Sequence, residues 1–257
     1  MSSSLQSKTQ RFSPNVIVVG DSSSVSRRTA EMIASCLRSH PNCVLGLATG
    51  GTPVGTYDEL TRMHLADGLD FSQVTSFNLD EYIGLSAEHP QSFRYFMQEN
   101  LFSRVNFCRE KTHVPNGVSS DVERECRDYE AMIARSGGID LQLLGIGHNG
   151  HIAFNEPGSS LQSRTRQVAL TEETIQNNAR FFESIDDVPN TAITMGIGTI
   201  MEAKRILLIA FGEGKAEAIE RMVAGEPTLD HPASLLQFHS DVTVIIDSAA
   251  GAKLSEV

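Results

Sequence analysis

The sequence predicts an α/β fold, a Rossmann-like and mostly parallel sheet covered by helices on both faces, and three observations carry that prediction. Short β-branched or apolar runs alternate along the chain with longer stretches whose apolar residues return every three or four positions. The short runs are continuous, as in Val242–Asp247 (VTVIID), which marks strands buried on both faces. With 257 residues, 40% of them hydrophobic and 21% charged, the chain can bury one sizeable core, and no linker or internal repeat divides it. A single domain over residues 1–257 is therefore expected, with residues 1–14 as a flexible polar tail.

The elements follow in order. Asn15–Val19 (NVIVV) reads as a strand that ends at Gly20-Asp21, and a serine-rich cap then leads into a periodic helix over Val25–Leu37. Val44–Ala48 is a second strand, followed by Thr49–Thr52 and a helix starting near Pro53, whose fixed φ suits a first helical position. Thr75–Asn78 predicts a short strand and Ser92–Leu101 a helix. A helix over Val122–Ala134 leads into the apolar strand Leu141–Leu144. Arg205–Phe211 (RILLIAF) and Val242–Asp247 are buried strands with a helix over Lys215–Val223 between them. In such sheets ligands bind beyond the carboxyl ends of the strands, so the loops after strands are where chemistry is expected.

Composition narrows the function. Against 32 Asp and Glu stand 21 Lys and Arg, a net charge of -11 that repels a polyanion, so nucleic acid is not an expected partner, whereas a single phosphate remains one. No apolar run approaches the roughly 18 residues of a membrane helix, and MSSSLQSKTQ lacks the apolar region of a secretory signal. The four cysteines, Cys36, Cys43, Cys108 and Cys126, have no CxxC spacing and read as reduced thiols. A cytoplasmic protein outside the membrane is the expectation.

Four loops carry candidate chemistry. Thr49-Gly50-Gly51-Thr52 precedes a helix, so its backbone N–H groups, two hydroxyls and the helix dipole can converge on a phosphate without the lysine of a P-loop. Asp80-Glu81 follows the third strand, and one of these carboxylates can serve as a base if burial brings its pKa toward neutrality. In the stretch Gly145–Gly158, His151 is a candidate acid and base whose ring Glu156 can orient. Gly145, Gly147 and Gly150 match G-x-G-x-x-G, but Asn155-Glu156-Pro157-Gly158 breaks any helix that the dinucleotide motif requires. His148, His151 and Glu156 are metal-ligand types without the helical spacing of a zinc site, so neither a metal nor a cofactor is expected. Arg180 and Lys215 are separated cations suited to clamping a phosphate.

Taken together and in this order, TGGTP, FNLDEY, GIGHNGHIAFNEPGSS and ARFF resemble the glucosamine-6-phosphate deaminase family, over about Phe12 to Ala250. The resemblance implies conversion of glucosamine 6-phosphate and water to fructose 6-phosphate and ammonia, in amino-sugar catabolism, without metal or organic cofactor. It implies that His151 opens the pyranose ring, Asp80 moves a proton between C2 and C1 through an enolamine, and Glu156 tunes His151. It also implies a phosphate site made of Thr49, Gly50, Gly51, Thr52, Arg180 and Lys215, with a lid near Arg180.

The chain departs from the family pattern at two places. Asn149 stands where many members carry an aspartate, so an amide replaces the second carboxylate beside the histidine, and a shifted pH profile is expected. Ser159 and Arg166 match the family's activator site, but Val168 replaces its lysine. A homo-oligomer of open size is implied. The alternatives are a galactosamine-6-phosphate deaminase, a 6-phosphogluconolactonase, and a sugar-phosphate sensor without catalysis. The sensor reading is weakened because only 14 residues precede Asn15, too few for a DNA-binding domain.

Overall fold

The computed structural model describes residues 10–179, 182 and 184–254. Its strands are β1 (Asn15–Val19), β2 (Val44–Leu47), β3 (Thr75–Asn78), β4 (Asp80–Tyr82), β5 (Thr112–His113), β6 (Leu141–Leu144), β7 (Arg166–Ala169), β8 (Thr191–Thr194), β9 (Ile206–Ala210) and β10 (Val242–Asp247). The helices are α1 (Ser22–Ser39), α2 (Val54–Asp67), α3 (Phe93–Met97), α4 (Val122–Arg135), α5 (Glu172–Ala179), α6 (Ile197–Met201) and α7 (Ala216–Val223).

Seven strands form one wholly parallel sheet in the order β1-β10-β9-β6-β2-β3-β5, flanked by helices. The reason is visible in the residues: β2, β6, β9 and β10 are buried at every position, which only a sheet covered on both faces allows. From β2 the chain winds outward through β3 to β5, and from β6 it winds the other way through β9 to β10. The β2/β6 boundary is thus the point where the strand order reverses, and the loops leaving these two strands part to open a crevice.

Helix starts obey local chemistry. Asp21 caps α1 by accepting from the Ser24 amide at 2.8 Å, and Asp121 caps α4 through the Arg124 amide at 2.9 Å. Pro53 sits at the cap of α2 rather than inside its first turn. The helix expected over Ser92–Leu101 is present, as α3 capped by Ser92 and running on without a break into a wider π-type turn at Gln98–Phe102, where the Ser103 amide reaches back to the Gln98 carbonyl at 3.1 Å.

A second, antiparallel sheet, β4-β8-β7, lies outside the sequence expectation, since DEY, RQVA and TAIT are short and carry none of the continuous apolar runs that mark most of the parallel strands. Leu79 is the seam between the sheets. Its amide donates to Leu47 of β2 at 3.2 Å, while its carbonyl accepts from Met195, just after β8, at 2.6 Å. The tail also needs correction at its end. Residues 1–9 lie outside the described residues, but Phe12 donates to the Gln237 carbonyl at 2.7 Å, and Arg11 binds the Gln237 side chain, Glu226 and the Gly225 carbonyl. The polar segment is therefore docked from Arg11 onward.

Candidate functional site

The crevice at the switch point is a cleft of about 230 Å³ between the loops that follow β2, β3 and β6. From β2 come Thr49, Gly50 and Thr52, the first part of α2's N-terminal approach. Gly50 has φ +90°, a value costly for any side chain, so a glycine is what allows the chain to turn its amides toward the cleft. Tyr57, fully buried in the first turns of α2, donates its hydroxyl to the Ala48 carbonyl at 2.5 Å and so pins the end of β2 where this loop begins.

Strand alternation separates the two carboxylates that the sequence could not tell apart. Successive side chains of β4 point to opposite faces, so Asp80 and Glu81 have different surroundings. Glu81 is buried and fully engaged: Oε1 accepts from the Tyr82 and Phe93 amides and Oε2 from the Arg94 amide, each at 2.9 Å, which ties the start of α3 to β4. Asp80 lines the cleft, is 6% exposed, and keeps its Oδ1 without a hydrogen-bond partner. Burial, and secondarily the charge of Glu81, push the Asp80 carboxyl up to about 8, with the Thr49 hydroxyl acting in the other direction. A desolvated carboxylate with an open lone pair at a cleft wall is what proton abstraction from carbon requires.

The loop after β6 supplies the histidine. No helix follows Gly150, and the segment instead closes by a small bridge between Ile152 and Asn155. The His151 ring lies against Gly147, where a Cβ would come within 2.3 Å of it, so only glycine admits the ring there. Asn149 Oδ1 is 2.8 Å from His151 Nδ1, and Asn149 Nδ2 donates to Glu156 Oε2 at 2.8 Å. Because a carboxylate only accepts, the amide must turn its NH₂ to Glu156 and its oxygen to His151. Nδ1 therefore carries a proton, and Nε2 is the nitrogen that exchanges one. Glu156 Oε1 lies 3.6 Å from Nδ1 and accepts from Thr174 of α5 at 3.3 Å, a partner that no sequence signal announced.

The loop is held from below by Asn155, which is fully buried, donates to the Ile152 and Met195 carbonyls at 3.0 and 2.9 Å, and accepts from Arg166 at 2.9 Å. Ala153, beside it, has φ +51°, the single positive φ outside glycine among the described residues, and it lines the cleft. Such strain persists where surrounding contacts dictate the conformation.

The structure thus brings Thr49, Gly50, Thr52, Asp80 and His151 to one cleft, with Asn149 and Glu156 in a second layer behind the histidine. Gly51 borders an adjoining apolar cavity with Phe93, Phe96 and Phe182. Lys215, at the start of α7, donates to the carbonyl of Ile146, a cleft residue, at 2.7 Å, and its burial lowers the pKa of its ammonium. Arg180 lies outside the described residues. An aromatic wall of Tyr82, Phe93 and Phe154 went unnoticed in sequence, although FNLDEY and HIAF contain two of its members.

A family model described as glucosamine-6-phosphate isomerases/6-phosphogluconolactonase matches residues 22–245. The chain belongs to this family. Within the family, it is 55% identical over 239 residues to the glucosamine-6-phosphate deaminase of Clostridium perfringens, covering 93% of this chain and 98% of that one. It is 51% identical over 241 residues to the glucosamine-6-phosphate deaminase of a Thermoanaerobacter species, covering 94% and 95%. A solved structure of a monomeric glucosamine-6-phosphate deaminase superposes with a TM-score of 0.90 at 47% identity, over 93% of this chain and 99% of that one. The 6-phosphogluconolactonase of Trypanosoma cruzi shares the fold, with a TM-score of 0.77 at 20% identity, over 96% and 99%.

Proposed function

We propose that this chain is a glucosamine-6-phosphate deaminase, converting glucosamine 6-phosphate and water to fructose 6-phosphate and ammonia. One observation carries the reading beyond family membership: a buried carboxylate with an unpaired oxygen, Asp80, shares a cleft with a histidine whose tautomer is fixed, His151. Deaminase relatives identical at half or more of their positions across nearly the whole chain support it.

The roles follow from the geometry. The phosphate sits at the Thr49–Thr52 loop before α2, with Lys215 exchanging its Ile146 carbonyl for a phosphate oxygen and Arg180 completing the clamp. His151, through Nε2, moves the proton that opens the sugar ring, and the Asn149 amide relays the Glu156 charge that steadies the imidazolium. Asp80 removes the C2 proton and returns it to C1, and water then replaces the nitrogen at C2 to release ammonia. The aromatic wall keeps bulk water from the enolamine. The chain works as one domain in the cytoplasm, with no membrane-crossing helix among the described residues.

For assembly we favour a monomer over the expected homo-oligomer, because the 47%-identical neighbour is described as monomeric and Val168 occupies the place of the activator-site lysine.

The deciding assay measures ammonia and fructose 6-phosphate released from glucosamine 6-phosphate, beside galactosamine 6-phosphate and 6-phosphogluconolactone. Turnover of the first substrate in preference to the others is expected. Preference for the second or third moves the assignment to the epimer or the lactone, and binding without turnover of any moves it to a sensor.

A further inference from the structure

Between α3 and the edge strand β5 lies a second cavity of about 400 Å³, roomier than the cleft itself. Arg94 and Arg109 both face it, and Glu88 is the one carboxylate in its lining. In a chain of net charge -11, a cavity with a surplus of positive charge is out of character and calls for a physical reason.

The two guanidiniums lack what usually explains them. Arg94 is half-buried, and its Nη1 donates to the Thr112 carbonyl at 2.7 Å. Neither arginine has a carboxylate within ion-pair distance among the described residues. Burial, followed by the charge of Arg109, pulls the Arg94 pKa down, so the two cations repel each other across a partly desolvated space. The floor is aromatic: Phe102 and Phe107 meet edge to face at 5.3 Å, with the Arg94 guanidinium 5.5 Å above the Phe102 ring. Gln98 and Tyr95 add polar groups at the rim.

We propose that this cavity is a second ligand site and that it binds a phosphoryl oxyanion between Arg94 and Arg109. The fork of a guanidinium matches a phosphoryl group bidentately, a second cation across the cavity completes the clamp, and the aromatic floor can carry an ester's organic body. The site is joined to the chemistry through the backbone. The Arg94 and Phe93 amides hold Glu81, whose neighbour in β4 is Asp80, and a further space of about 300 Å³ with Glu81 in its wall is shared by Arg94 and Thr112.

The test is calorimetric titration of the full chain with inorganic phosphate and, separately, with phenyl phosphate, no sugar phosphate being added, since its own phosphoryl group would fill both sites. Two anions per chain are expected, the second of them between Arg94 and Arg109. Arg109→Gln, at an exposed position that the fold does not use, weakens it by about tenfold or more while deaminase turnover stays at the wild-type rate. Glu88→Gln strengthens it by removing the opposing charge. Tighter binding of phenyl phosphate assigns the site to organic esters that use Phe102 and Phe107, and equal binding assigns it to the inorganic ion. If the cleft takes no anion, a single one titrates and Arg109→Gln removes it, so the proposed reaction and this site fail separately. Absence of the second anion, or an affinity unchanged by Arg109→Gln or reduced by Glu88→Gln, overturns the proposal.

Discussion

Asp80 concentrates the conflict between function and stability in one side chain. Its carboxyl is raised from 3.8 to about 8, chiefly by burial. Between those values the folded protein keeps a proton that the unfolded chain releases, so stability is lost as pH rises from about 4 to about 8. Asp80→Asn removes this dependence. It is expected to unfold like wild type near pH 4 and to be more stable by on the order of 2 kcal/mol above pH 8, read from denaturant midpoints at the two pH values. The same change is expected to lower kcat by roughly 10²–10⁴-fold, since it removes the proposed base. Asn149 offers a contrasting case. Its amide passes the influence of Glu156 to His151 without adding charge. Asn149→Asp sets a carboxylate 2.8 Å from Nδ1, favours imidazolium, and is expected to move the pH–rate curve toward higher pH. A superimposable curve would mean that Asn149 serves only to orient the ring. The type of these residues was legible in sequence; the division of labour between Asp80 and Glu81 was not, because it depends on which face of a three-residue strand each occupies.

At the scale of elements, β4 works as a bracket. Glu81 anchors α3 through amides of its first turn, and Asp80 faces the cleft from the same strand. Glu81→Gln retains one acceptor oxygen where the carboxylate uses two, which is expected to cost about 1–3 kcal/mol in chemical denaturation. It also removes the like charge beside Asp80, so the acid limb of the kcat/KM profile, which requires ionised Asp80, is expected to fall to lower pH. A limb that stays in place would remove Glu81 from the electrostatics of the site. Six strands of the parallel sheet and the helices between them were legible because apolar runs and amphipathic periodicity mark them, whereas the two-residue edge strand β5 writes no pattern. The short antiparallel sheet, the widening of the helix after α3 and the reach of Thr174 to Glu156 write none either.

For the molecule as a whole, the end of the sheet that holds the candidate site was legible, because in a parallel sheet the loops at the carboxyl ends of the strands are where ligands bind; the strand order that reverses between β2 and β6 and opens the crevice was not. Assembly was the least legible, since it depends on surface residues that no internal pattern constrains. Sedimentation of the full chain is expected to give a single species of 28.0 kDa, with or without fructose 6-phosphate; a larger species would restore the homo-oligomer. The Leu79 seam has a consequence for how such a protein can change over generations. The Asp80 carboxylate is bolted to both sheets through the main-chain bonds of its neighbour Leu79, whereas Thr174 belongs to a separate segment that meets the candidate site at Glu156 and, through Ile175 and Phe182, at Tyr82. Amino-acid replacements in that segment can therefore reshape the flank of the cleft at Glu156 and Tyr82 while the main-chain anchorage of Asp80 stays fastened. One wall of the cleft is thus free to drift over generations while the opposite wall is held by the fold itself.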